Sequence, residues 1–289
     1  MTSITRREYR TSDGLSLIAD VGGAKGAPAV ILLHGGGQTR HSWSGAMRRL
    51  IVEGYQVINF DARGHGESDW AKITSGYSLA ARGDDLRIVT DDIAGPVALV
   101  GASMGGMTSF YAVGSGLIPQ AAALVLVDIV LRPAPSGVKK IEEFMRGHRN
   151  GFATLEEAAA AVAAYNPERK RPNDPSGLRK NLRLRDDGRL YWHWDPRILE
   201  ERPSAEPPAW TQELLGVAGG VRTPTLLVRG GHSDIVDDAG VEELLKLVPQ
   251  TEVYEVPDAG HMVAGDRNDA FNDGVIDFLK RTGFGQAHR

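Results

Sequence analysis

At 289 residues, 42% hydrophobic and 24% charged, the chain is long enough for one large α/β domain or a core with a subdomain. A formal net charge of −4 leaves no basic footprint for nucleic acid, and the lack of cysteine excludes disulfides, thiol nucleophiles and cysteine-held metals. No apolar stretch follows Arg6 and Arg7, so no signal peptide is expected. No run approaches the roughly 18 apolar residues of a membrane span, so a soluble cytoplasmic protein is expected.

Residues 5–10 and 15–21 flank the turn signal Ser12-Asp13-Gly14 and read as an antiparallel hairpin at a sheet edge. Residues 29–33 form a short buried strand that runs into His34-Gly35-Gly36-Gly37. A helix over about 44–53 is stopped by Gly54, and residues 55–60 form the next strand, entering the loop Asp61-Ala62-Arg63-Gly64-His65-Gly66-Glu67-Ser68-Asp69. A helix over 78–93 precedes the apolar run 97–100. There follows Gly101-Ala102-Ser103-Met104-Gly105, with a helix-compatible segment over 104–113. Strand, Gly-x-Ser-x-Gly and helix together read as a nucleophile elbow, a sharp turn that pushes the Ser103 hydroxyl out at the end of a strand.

Residues 122–127 form a further buried strand, and the alternation so far argues a parallel sheet covered on both faces. It then stops. From 131 to 220 there are helical patterns over 138–148 and 155–165, a proline- and charge-rich piece over 166–175, and no clear buried strand. A turn at Asp186-Asp187-Gly188 precedes Trp192 and Trp194, which share a face if that piece is extended. They are read either as lining an acyl pocket or as packing this helical insertion, a lid, onto the sheet. Strands over 225–228 and 251–256 and helices over 239–248 and 269–280 complete the chain.

A serine is a poor nucleophile until a base takes its proton, and that base needs a third group to hold its tautomer. His261 follows the last strand and is the expected base. Asp234 follows the strand 225–228 and is the preferred acid, in the chain order serine, acid, histidine. Its rival is Asp128, which ends the strand before the insertion. Asp258 is nearer His261 in sequence, but nearness along a loop does not orient it. The oxyanion of an acyl transfer needs N–H donors. Met104, after the nucleophile and at a helix start, supplies one. Gly36 is chosen for the second, with Gly37 next and expected to border the substrate. No phosphate loop and no zinc-type histidine pairing occur, so neither metal nor cofactor is expected.

His34-Gly35-Gly36-Gly37, the Asp61–Ser68 loop, Gly101–Gly106, Ser233-Asp234 and Gly260-His261 together make the chain resemble the α/β-hydrolase fold superfamily. It is similar to the branch of serine esterases, cofactor-free haloperoxidases and C–C hydrolases. The resemblance implies an eight-stranded, mostly parallel sheet with an inserted helical cap, dividing the chain into core (1–130), cap (131–220) and core (221–289). It also implies that Arg63 and His65 are structural. The activity so implied is cofactor-free hydrolysis of small carboxylic esters or lactones through an acyl-enzyme on Ser103. C–C bond hydrolysis or a perhydrolase reaction with the same triad, and a small-molecule receptor on this fold, are the alternatives. The expected partner is a small-molecule substrate, with no nucleic acid and no membrane, and a homodimer is compatible with the sequence.

Overall fold

The computed structural model describes residues 3–167, 174–200, 208–261 and 268–285. The hairpin is formed by β1 (Thr5–Arg10) and β2 (Ser16–Gly22), paired antiparallel. The apolar runs become β3 (Ala29–Leu33), β4 (Gln56–Phe60), β5 (Val97–Ala102) and β6 (Ala121–Val127). Two short strands, β7 (Leu182–Leu184) and β8 (Leu190–Trp192), pair with each other around the Asp186-Asp187-Gly188 turn. β9 (Thr225–Gly230) and β10 (Thr251–Val256) return to the main sheet. Its eight strands are ordered β1-β2-β4-β3-β5-β6-β9-β10, antiparallel up to the β2–β4 pair and parallel from β4 onward.

Side chains alternate across the sheet, so each central strand feeds two cores. Val30, Leu32, Ala98, Val100, Val125 and Val127 pack with α1 (Ser44–Val52) and the C-terminal helix Asn268–Arg281. Ile31, Leu33, Leu99, Leu124 and Leu126 pack on the other face, with α2 (Leu79–Thr90) and α3 (Met104–Gly114). Each such fully buried side chain contributes about 1.5–3 kcal/mol of transfer free energy, which is why uninterrupted apolar runs mark these strands.

Between β6 and β9 lies a mostly helical cap carrying α4 (Pro135–Arg146), α5 (Leu155–Tyr165), the β7–β8 hairpin and α6 (Ala209–Val217). The hairpin lies where the sequence shows no clear buried strand: its three-residue strands are largely unburied and too short to show alternation. The cap has its own core of Met145, Phe152, Ala158, Trp192, Trp194, Ile198 and Leu199, which closes onto Leu15, Ala71 and Tyr77. After β9 come α7 (Asp238–Leu247), β10 and the C-terminal helix, α8. No helix among the described residues is long and apolar enough to cross a membrane. Because β3, β5, β6, β9 and β10 run parallel, they deliver their following loops to one sheet edge, beneath the cap.

Candidate active site

β5 ends in a turn that only small residues permit. A Cβ on Gly101 would lie 2.4 Å from the Gly105 carbonyl carbon, and one on Gly105 would lie 2.4 Å from the Leu33 oxygen. Between them Ser103 is held at φ 46°, ψ −113°, a strained conformation for a non-glycine residue. The turn is pinned by the Ser103 N–H, which donates to the Val127 carbonyl at 3.1 Å, and by the Ser103 carbonyl, which accepts from Met107 N–H at 2.9 Å. Met104 opens α3, so its N–H has no intrahelical acceptor and stands at the positive end of the helix dipole.

The glycine loop after β3 is shaped by its hydrogen bonds. Gly35 N–H donates to Gln38 Oε1 at 3.1 Å, and Gly37 N–H donates to His65 Nε2 at 3.2 Å. Gly36 N–H has no acceptor among the described residues, which leaves it, rather than Gly37, as the free donor of the loop. Gly36, Gly37, Ser103, Met104 and His261 all border one cavity of about 850 Å³.

His261 donates from Nδ1 to Asp128 Oδ2 at 2.8 Å, which leaves Nε2 as the nitrogen available to the cavity. This corrects the expectation that Asp234 would hold the imidazole. The Asp234 carboxylate is instead 2.8 Å from Lys140 Nζ on α4, and its side chain is 39% exposed. The reason is local. Ser233 takes the inward position in the loop after β9, so its neighbour Asp234 faces the cap. Asp128, wholly buried at φ 47°, leaves β6 between β5 and β9, and its Oδ1 accepts Gly230 N–H at 2.9 Å while its Oδ2 accepts the Ser233 hydroxyl at 2.7 Å. Spacing along the chain gives Ser233 no role; its small hydroxyl two residues past Gly231 is the available signal.

Trp192 and Trp194 both border the cavity and both belong to the buried core of the cap. Their rings stack at 4.9 Å and 12°, and Phe144 stacks on Tyr165 at 4.3 Å beside them. These faces make one wall apolar and aromatic. Arg63 is away from the cavity, buried in a two-pronged pair with Asp85 at 2.6 Å on each prong. His65 lies beneath the glycine loop, wholly buried, and burial together with His34 and His193 nearby pushes it well below the ordinary histidine value.

His193, between the two tryptophans, was not singled out from the sequence. Its Nδ1 accepts Gly66 N–H at 2.7 Å and its Nε2 donates to the Gly37 carbonyl at 3.3 Å, so the cap grips both loops that support Gly36. Strand alternation between flanking tryptophans was the signal that pointed it to the opposite face.

A bovine protein phosphatase methylesterase 1 is 31% identical over 139 residues, 45% of this chain and 36% of that relative, so the chain spans little more than a third of its length. An esterase of Mycobacterium tuberculosis is 29% identical over 269 residues, 87% of this chain and 83% of its own. A solved structure of that esterase superposes with a TM-score of 0.76 at 26% identity over 97% of this chain and 92% of the other. The fold also matches an α/β hydrolase from Novosphingobium aromaticivorans, with a TM-score of 0.80 at 24% identity, covering 97% of this chain and 99% of that one. A match to the alpha/beta hydrolase fold runs over residues 28–267, from the start of β3 past His261. It takes in the elbow, the cap and the histidine loop alike, and the chain belongs to that family.

Proposed function

We propose that the protein is a serine hydrolase of small carboxylic esters or lactones, working through an acyl-enzyme on Ser103, with His261 as base and Asp128 as its acid. The observation that carries this reading is the pairing of His261 Nδ1 with buried Asp128, which frees Nε2 for the cavity that Ser103 also borders. His261 Nε2 takes the Ser103 proton as Oγ attacks the ester carbonyl. The oxyanion accepts hydrogen bonds from Gly36 and Met104 N–H, donors already in place before the reaction. Asp128 stabilises the imidazolium, which then gives its proton to the leaving alcohol. Water, deprotonated by His261 in turn, attacks the acyl carbon, and as the bond to Oγ breaks the imidazolium returns its proton to Ser103 and the acid leaves. The segment over 131–220 acts as the cap that sets which acyl or alcohol groups enter, and its aromatic wall suits apolar esters.

Hydrolysis of p-nitrophenyl esters of graded acyl length tests the reading. The wild type should show a burst of p-nitrophenol followed by steady turnover. Ser103→Ala should lose turnover by about 10³-fold or more while melting like the wild type, since one hydroxyl is removed from a preformed turn. A Ser103→Ala protein that keeps more than a few per cent of wild-type turnover refutes the nucleophile, and a burst without turnover marks a receptor.

A further inference from the structure

We propose that Ser233 is a positioning residue of the hydrolytic site, its hydroxyl locking Asp128 so that the carboxylate meets His261 in one orientation. The inference rests on the triad reading above and extends it to a residue outside the three. Hydrogen bonds around Ser233 fix where its proton lies. Its Oγ accepts Ile235 N–H at 3.3 Å and Val236 N–H at 3.1 Å, which uses both of its acceptor sites. The remaining neighbour is Asp128 Oδ2 at 2.7 Å, so the O–H must donate there. Oδ2 therefore receives two donors, the Ser233 hydroxyl and His261 Nδ1–H at 2.8 Å, and Oδ1 receives Gly230 N–H at 2.9 Å. Three donors on two oxygens fix rotation of the carboxylate about its own bond; without the hydroxyl only one donor besides the histidine remains. The hydroxyl also shares the charge of Oδ2, so its loss hands more of that charge to the imidazolium.

Ser233→Ala, Ser233→Thr and, as a reference, Asp128→Asn test the proposal on a p-nitrophenyl ester over pH 5–9. Inactivation by a fluorophosphonate gives a parallel measurement that needs an activated Ser103 but no natural substrate. Ser233→Ala should lower kcat about tenfold, the worth of one hydrogen bond to a charged group, with KM little changed. The acid limb of its pH profile should move to higher pH. Ser233→Thr, which keeps the hydroxyl, should restore both kcat and the limb. A residue that merely braces the 233–236 turn would lower the melting temperature and leave the limb in place. If the alanine variant does not fold, Ser233→Cys, similar in shape with a weaker donor, takes its place in the same readouts. A wild-type kcat and limb in the hydroxyl-free variant, alongside an inactive Asp128→Asn, overturns the proposal and leaves the triad standing. Activity retained by Ser103→Ala overturns the triad and the proposal with it.

Discussion

Asp128 and Asp234 both follow strands that end at the same sheet edge, and a linear sequence treats them alike. What separates them is the direction in which each loop turns. Ser233 and Asp234 are adjacent, so when one faces Asp128 the other faces away, toward Lys140. A shift of one residue would exchange them, and no composition or spacing argument resolves a single-residue shift in a loop. The placement of Ser103 on a sharp turn and of His261 at a strand end, both bordering the cavity, was legible because a glycine-framed turn and a strand-end histidine fix those positions. Asparagine substitution measures the difference between the two aspartates. Asp128→Asn should leave His261 in the wrong tautomer and lower kcat by about 10⁴. Asp234→Asn removes a half-exposed ion pair, so it should cost under about 1 kcal/mol of stability and at most about tenfold in kcat. Steady-state kinetics with thermal melts of both variants decide it. An inactive Asp234→Asn with an active Asp128→Asn would return the acid to the loop after β9.

One element that joins cap to core is the extended piece that starts with β8 and continues through Asp195. Its alternation sends Trp192 and Trp194 to the cavity wall and His193 to the loops below, while Asp195 N–H donates to the Gly64 carbonyl at 2.8 Å. The two tryptophans were legible as a shared face from their spacing. The histidine between them was not, because a polar residue in a short strand is most often solvated, and its partners Gly66 and Gly37 lie more than a hundred residues away. His193→Ala should strand the buried Gly66 N–H without an acceptor and cost about 1–3 kcal/mol. It should also release the Gly37 carbonyl and so loosen the Gly36 donor. An oxyanion donor binds the transition state more strongly than the ester, so the role proposed for Gly36 N–H predicts that kcat falls while KM moves little. Urea unfolding and a Michaelis–Menten comparison check the two halves of this expectation. A variant that raises KM alone would place His193 in substrate binding instead.

Across the whole molecule the parallel sheet was legible because strands buried on both faces must be apolar throughout, whereas the cap, held by aromatic packing and a few long-range hydrogen bonds, left only helix-length patterns. Its attachment does leave a mark on the pH dependence of stability. His34, His65 and His193 are all buried and lie in a row, with ring centres 5.1 Å and 5.8 Å apart. Each accepts one backbone N–H and bonds a backbone carbonyl: His34 with Ala62 and Gly35, His65 with Gly37 and Arg63, His193 with Gly66 and Gly37. A second ring proton on any of them would face an N–H, so the native state holds all three neutral. Burial pushes His34 below its ordinary value, His65 well below it, and His193 down to about 3. The unfolded chain takes up these protons near pH 6.5, the native state only at lower pH, so stability is full above about pH 6.5 and falls as the pH drops. Each histidine that stays neutral in the fold adds up to about 1.4 kcal/mol per pH unit to that slope. Urea unfolding from pH 7 to pH 4 should therefore show a steep loss, less steep by about one proton in His193→Gln, whatever that variant's stability at pH 7. An unchanged slope in His193→Gln would mean that His193 titrates alike in folded and unfolded chains, and that the cap is not clamped through a neutral imidazole.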